Sequence, residues 1–440
     1  MRFVILMCKP ARVAMLAAGV LITASGMSQI NSPFSRFGIG DLTNARNVTS
    51  KGMGGIATTY TDIQSVNFIN PASYSKISFV TFDVGIETEF RTFSNQAKTD
   101  RFQSANFLFN YVAVGMPIKK SKDRTRTLWG LTFGLRPVSR IKYNIQDFGR
   151  IPRIDSSVTE YRGNGGLYRA FAGTGFSLGK LSLGINAGWI FGQQNINTYR
   201  TLINDSTFYY TANFGQNTSI KKFMVDAGMM YSIKTSKTSE IRIGANGYLG
   251  GDANANRDVV SQTSFFNSFG SADTLDVVER KNMDGTYTMP AGYSIGISYD
   301  KRNDIMLSAE YEIVNWKDLD NYGQSNKMGD TKMFRAGVQW IPDALGGKKY
   351  FRQVAYRAGF FTGKDYVVVN EGQLPVWGAT IGGGFPIKRY NAYSTQYSTI
   401  NLSFEYGRRG GNDIPYFERY FRLNLGLALS DIWFIPRQYD

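Results

Sequence analysis

From about Ile77 to the C-terminus, stretches of roughly ten residues alternate apolar with polar side chains, and each stretch ends in a break. The breaks are alternately short and long, about seven times over. A period of two held this long excludes a helical stripe, which recurs every 3.6 residues. The double alternation is that of a closed antiparallel barrel in a membrane: lipid on one side of each strand, lumen on the other, tight turns at one rim and long loops at the other.

The pattern is explicit in two strands. Val80, Phe82, Val84, Ile86 and Phe90 share one face, with Asp83, Glu87, Glu89 and Arg91 opposite. Near the end, Phe421, Leu423, Leu425, Leu427 and Leu429 alternate with Arg422, Asn424, Gly426, Ala428 and Ser430, followed by Trp433 and Phe434 as interface aromatics. Between them lie Leu108–Met116, Trp129–Arg136, Gly166–Leu178, Leu181–Phe191, Phe223–Tyr231, Ile241–Leu249, Ala291–Tyr299, Ile305–Ile313, Phe334–Trp340, Val354–Phe360, Trp377–Phe385 and Ile400–Tyr406. The expectation is an all-β transmembrane antiparallel barrel of about 14 strands, both termini on the periplasmic side. Segments 137–165, 194–221 and 251–289 are expected as long extracellular loops. A secreted sandwich or propeller would need shorter strands and less regular breaks.

Residues 1–28 read as a secretory signal: basic Arg2, Lys9 and Arg12, an apolar Val13–Thr23, then small residues up to Ser28. Residues 29–76 form a polar lead-in that cannot face lipid, where unpaired backbone is costly, so it belongs in the periplasm or as an N-terminal hatch (plug) in the lumen. The barrel is expected over 77–434 and a periplasmic tail over 435–440. Export of such a chain implies the outer membrane of a Gram-negative cell.

Composition limits the chemistry. There are no histidines, and the single cysteine, Cys8, lies within the signal. Disulfides, Cys/His zinc sites and a histidine general base are therefore missing from the mature chain. Neither an enzyme nor a cofactor is expected. The formal charge of +16 points to anionic lipid or an acidic partner; an exported chain does not routinely meet nucleic acid. Short turns carry most of the positive charge, as at 118–126, whereas 251–289 has three basic and six acidic residues. A basic periplasmic collar could dock lipid phosphates or a protein partner; the bland alternative is a set of solvated turns. Asp252, Asn254, Asn256 and Asp258 have the alternate spacing of a calcium loop. Arg257, however, occupies the position of the turn glycine and Thr263 that of the bidentate acid.

Gly52 to Ala72 reads GMGGIATTYTDIQSVNFINPA and resembles the N-terminal signature of FadL-type outer-membrane channels, the long-chain fatty-acid transporter family. Met53, Gly54, Gly55, Asp62, Asn70, Pro71 and Ala72 fill the signature's positions, while Ile63 stands where a second acid is usual. The resemblance implies a fourteen-stranded barrel with a lumenal hatch, positioned by Asn70 and Pro71, that binds a hydrophobic small molecule. It also implies a lateral opening at a kink in the third strand, for which Pro137 is the candidate; Pro137 could equally end that strand. Passive uptake of fatty-acid-like molecules is the first functional expectation. The alternative is a non-transporting structural subunit of an outer-membrane secretion or barrel-assembly complex.

Overall fold

A computed structural model describes residues 32–95, 101–121, 127–152, 155–204, 209–266, 272–301, 304–322, 324–325, 328–343, 349–369, 371–387, 397–411, 414 and 416–431. The signal, the tail, Trp433 and Phe434 lie outside the described residues. No described helix is long and apolar enough to cross a membrane. Strands make the crossing.

Fourteen strands close into one barrel: β1 (Val80–Asn95), β2 (Arg101–Lys120), β3 (Thr127–Ile151), β4 (Asp155–Leu178), β5 (Leu181–Ile203), β6 (Thr211–Lys234), β7 (Ser239–Tyr248, continuing as Gly251–Phe266), β8 (Ala272–Met289, continuing as Gly292–Lys301), β9 (Ile305–Val314), β10 (Thr331–Trp340), β11 (Ala355–Val369), β12 (Gly372–Ile387), β13 (Tyr397–Arg409) and β14 (Tyr416–Asp431). Each pairs antiparallel with its sequence neighbours, and β14 closes on β1 from Tyr416↔Asn95 to Asp431↔Val80. Closure removes the free sheet edges that lipid could not solvate.

The greasy side faces outward. Phe82, Phe133, Ile185, Ile243, Ile295, Ile297, Leu307 and Ile381 are all exposed, while Thr81, Asp83, Asn186, Ser298, Glu310 and Asn424 on inward positions are buried. Aromatic pairs mark two levels of the wall: Trp129 stacks on Phe176 and Trp340 packs near Tyr356 toward the periplasmic turns, whereas Trp189–Phe223 and Trp377–Tyr406 sit toward the other rim. These are the interface belts of a membrane barrel.

The three segments expected as long loops are, over most of their described residues, instead paired strand. From β3 to β8 the ladder continues well past the upper aromatic level, as in Arg140↔Gly166 to Ile151↔Asp155, Asn195↔Asn217, and Gly251↔Met289 to Phe266↔Ala272. Six strands thus stand as a wall above one side of the barrel, whereas β11 ends at Val369 and β12 already begins at Gly372. Near its base the wall still buries Ile141, Tyr143, Ala253, Ala255 and Tyr287 on its inner side; higher up both faces meet water, so apolar alternation is not required there. On the wall, a hydrogen bond from Arg162 holds the Glu160 carboxyl below its ordinary value. Burial holds the Arg257 guanidinium, which lies over the Tyr322 ring and donates to Asn321, below its ordinary value.

Residues 32–76 thread the lumen. Phe34 meets Phe93 near the upper rim, the exposed Ile63 reaches solvent at the periplasmic end, and the 3₁₀ turn Pro71–Lys76 leads into β1. The wall accepts this chain at glycines. Gly130, Gly175, Gly184 and Gly228 are register neighbours on β3 to β6, and a Cβ on any of them would collide with Asn70, Pro71 or Tyr74. Gly337 and Gly359 likewise face the backbone of Met53 and Gly54. Gly359→Ala is therefore expected to destabilise the barrel by about 1–3 kcal/mol through overpacking, measured as a lowered urea midpoint. Gly179→Ala, in an open turn, tests turn strain alone, since Gly179 has a positive φ and nothing near its Cβ position.

Candidate functional site

The lumen is held by charge. Asp41 of the threading segment accepts from Arg91 of β1 (2.7 Å) and from Arg409 of β13 (2.8 Å). Glu418 shares both arginines, at 3.1 and 3.7 Å, and accepts from the Ser32 hydroxyl at 2.6 Å. Glu89 joins Arg91 to Arg422, which continues to Glu405 at 2.7 Å. Lower down, Lys51 pairs with Glu87 and donates to Asn424 at 3.0 Å.

A second cluster surrounds Glu310 of β9, whose side chain is fully buried. Its carboxylate accepts from the Ala57 and Thr58 amides, both at 2.7 Å, and from Arg46 at 2.9 Å. Arg46 also reaches Glu312 at 3.1 Å, and Arg335 of β10 closes the square at 2.7 Å to Glu312. Arg242 of β7 forms a third anchor with Asp300 and Thr61, plus the Thr59 carbonyl at 3.3 Å. Charges this far from water are tolerable only when paired and hydrogen-bonded, and removing one partner leaves the other uncompensated.

The signature residues meet this scaffold at defined points. Met53 and Gly54 lie on β10 and β11, with Gly54 and Gly55 at positive φ. Asp62 accepts from Tyr60, and from the Gln64 and Ser65 amides at the periplasmic bend. The Asn70 amide donates to the Thr58 carbonyl at 2.6 Å, and its oxygen accepts from the Ala72 amide at 3.1 Å, capping the turn that begins at Pro71. Asn70→Ala should cost about 1–2 kcal/mol through the lost cap and the unpaired carbonyl, read as an earlier unfolding midpoint; Asn70→Asp should recover the cap only.

Pro137 does not end its strand, since β3 continues to Ile151. It marks a seam. β2 and β3 pair from Lys120↔Thr127 only to Val112↔Leu135. Beyond that, β2 stays with β1 while β3 takes a register shift against β4 between Pro137 and Ser139. The threading segment occupies the gap: Asp41 and Leu42 pair with Arg140 and Ser139, and the Thr43 hydroxyl donates to the Pro137 carbonyl at 2.8 Å. Arg140 spans the seam to the Phe109 carbonyl, also at 2.8 Å.

Asp252, Asn254, Asn256 and Asp258 do not form a loop. They alternate along β7 opposite β8, about 7 Å apart in turn. Asp252 accepts from Thr288, Asn256 donates to Asp284, and Asp258 accepts from the Asn282 amide. A straight row cannot wrap an ion, and no acidic metal-binding cluster occurs among the described residues.

Between the threading segment and the wall lies a chamber of about 300 Å³. Ile190, Met224, Met289 and Val314 give it an apolar side, while Arg91, Arg136, Arg169, Glu405, Arg409 and Arg422 give it a charged one. The alternation put Arg91 and Arg422 on the polar faces of their strands, but it did not show how the lumenal arginines pair, because that depends on the register of neighbouring strands and on the threading segment.

A family profile described as BamG matches residues 7–440. The chain belongs to the BamG family. Among solved structures, this BamG-family barrel is similar to the Ralstonia pickettii toluene transporter TbuX (13% identity, 88% of this chain and 98% of that one, TM-score 0.55). It is also similar to a Pseudomonas aeruginosa FadL homologue (9% identity, 90% and 100%, TM-score 0.53) and to the Pseudomonas putida toluene transporter TodX (14% identity, 90% and 100%, TM-score 0.51). The BamG-family chain therefore has the FadL-type barrel fold. No curated protein matches it.

Proposed function

We propose that this BamG-family protein is a lumen-sealed barrel in the outer membrane of a Gram-negative cell, serving as a non-transporting structural subunit of a secretion or barrel-assembly complex. The observation that carries this reading is the ion-paired lumen. A hydrophobic molecule crossing it would strip buried arginines and carboxylates of their partners without replacing them. Catalysis forms no part of the reading: the chain has no histidine, and the carboxylates of the lumenal clusters are tied to cations. Residues 32–76 act as the hatch, with Asn70 and Pro71 positioning it. The one-sided extracellular wall and the basic periplasmic turns are the docking faces, toward protein partners and lipid phosphates.

A second reading, passive uptake of a hydrophobic, fatty-acid-like small molecule, is favoured by one observation: the β2–β3 seam at Pro137, beside a chamber with an apolar side. TbuX and TodX, which share the fold, are described as toluene transporters. Purification of the native barrel from membranes in mild detergent separates the two. A stoichiometric protein partner supports the subunit, whereas a lone barrel carrying a bound hydrophobic molecule supports uptake and counts against the first reading.

A further inference from the structure

Most lumenal arginines have a carboxylate at hand, but Arg136 does not. Among the described residues its polar contact is the Ala45 carbonyl at 3.5 Å, with its guanidinium 5.7 Å from the Phe68 ring. Directly opposite on β4 stands Arg169, paired in register with Arg136. Arg169 is 3% exposed and meets Asp226 of β6 at 2.8 Å through one nitrogen. Its Nε and Nη2 are buried without a hydrogen-bond partner. One carboxylate thus faces two guanidiniums on adjacent strands.

Both arginines and Asp226 line the 300 Å³ chamber. Other chamber donors are buried and unpartnered too: the Trp316 indole N–H, the Thr331 hydroxyl and Arg409 Nη2. One acceptor, Asp226 Oδ1, is also unpartnered. The surplus is nevertheless of donors and of positive charge. A buried guanidinium with idle N–H groups is costly unless an acceptor meets it, and the planar fork of arginine matches a carboxylate or phosphate through two parallel bonds.

We propose that the chamber holds an oxyanion, of the phosphate or carboxylate class, clamped between Arg136 and Arg169. The anion balances the positive charge left over by Asp226. It also ties β3 and β4 to the threading segment, because Arg136 already leans on Ala45. Its source is either a free ion or the head group of an acidic lipid whose chain lies along Ile190, Met224 and Val314. The site is independent of whether the barrel transports anything.

The test uses the full-length barrel in a zwitterionic detergent, with thermal unfolding followed as inorganic phosphate is titrated against chloride of matched ionic strength. Binding to the folded state raises the melting temperature saturably. The expected result is a saturable rise in phosphate beyond that in chloride, with the half-point shifted at least tenfold in Arg136→Gln. Arg136→Lys, which keeps the charge but loses the fork, should fall between them, and it serves if Arg136→Gln does not fold. Equal responses to phosphate and chloride, or identical titrations of wild type and the folded variant, would overturn the proposal. Phosphate and lipid assays of the freshly purified protein then distinguish the sources: about one inorganic phosphate per barrel identifies a free ion, and about one acidic lipid identifies a head group. A barrel with neither, and with a flat titration, also overturns it.

Discussion

Glu310→Ala is expected to loosen the threading segment more than any other single change in the lumen, at a cost of about 3–5 kcal/mol. The substitution removes the acceptor of the Ala57 and Thr58 amides and a partner of Arg46 and Arg335 in one step. Two buried guanidiniums would then share Glu312 alone. The variant should unfold at clearly lower denaturant, and protease added to intact proteoliposomes should cut within residues 32–60, which the wild type protects. Glu310→Gln, which still accepts from both amides, should recover part of the loss. Wild-type midpoints and protection in Glu310→Ala would mean the segment is held by packing, with the ion pairs incidental.

Ile297→Arg is expected to cost about 2–4 kcal/mol, whereas Val277→Arg should stay within about 0.5 kcal/mol. The two side chains have similar exposure, 52% and 45%, so accessible area alone predicts similar effects. The solvent differs. Ile297 lies on β8 between Tyr293 and Tyr299, where the outer face meets hydrocarbon, while Val277 stands on the wall above. Comparing unfolding from lipid vesicles measures the difference; equal costs would mean that the hydrocarbon band is misplaced.

The strands were legible for the same reason. Each of the fourteen alternating stretches falls within one barrel strand to within a residue at its ends, because lipid outside and polar lumen inside impose a period of two. Where that contrast disappears, so does the signal: β5 reads clearly to Phe191 but runs on to Ile203, since beyond the upper rim water wets both faces. Pro137 was legible as a break, though only the pairing distinguishes a strand end from a seam.

The lumen was harder to read. Gly130, Gly175, Gly184 and Gly228 are unremarkable along the chain and become a row only once four strands are in register. Asp41, Arg46 and Lys51 are separated from the ion-pair partners that hold them by 36 to 368 residues, so no spacing rule finds them. Their one signal was charge in a segment that has to be covered by protein. Arg136 and Arg169 likewise required the β3–β4 register before their shared shortage of carboxylate could be seen.

Electrical conductance of the purified full-length barrel in a planar bilayer tests the sealed lumen most directly. The expected trace shows no steady current above the bare bilayer at moderate salt and voltage, because the ion-paired segment blocks a continuous path through the lumen beyond the chamber. A stable ohmic current from correctly folded wild-type protein would contradict it, showing a continuous water path where paired charges should leave none.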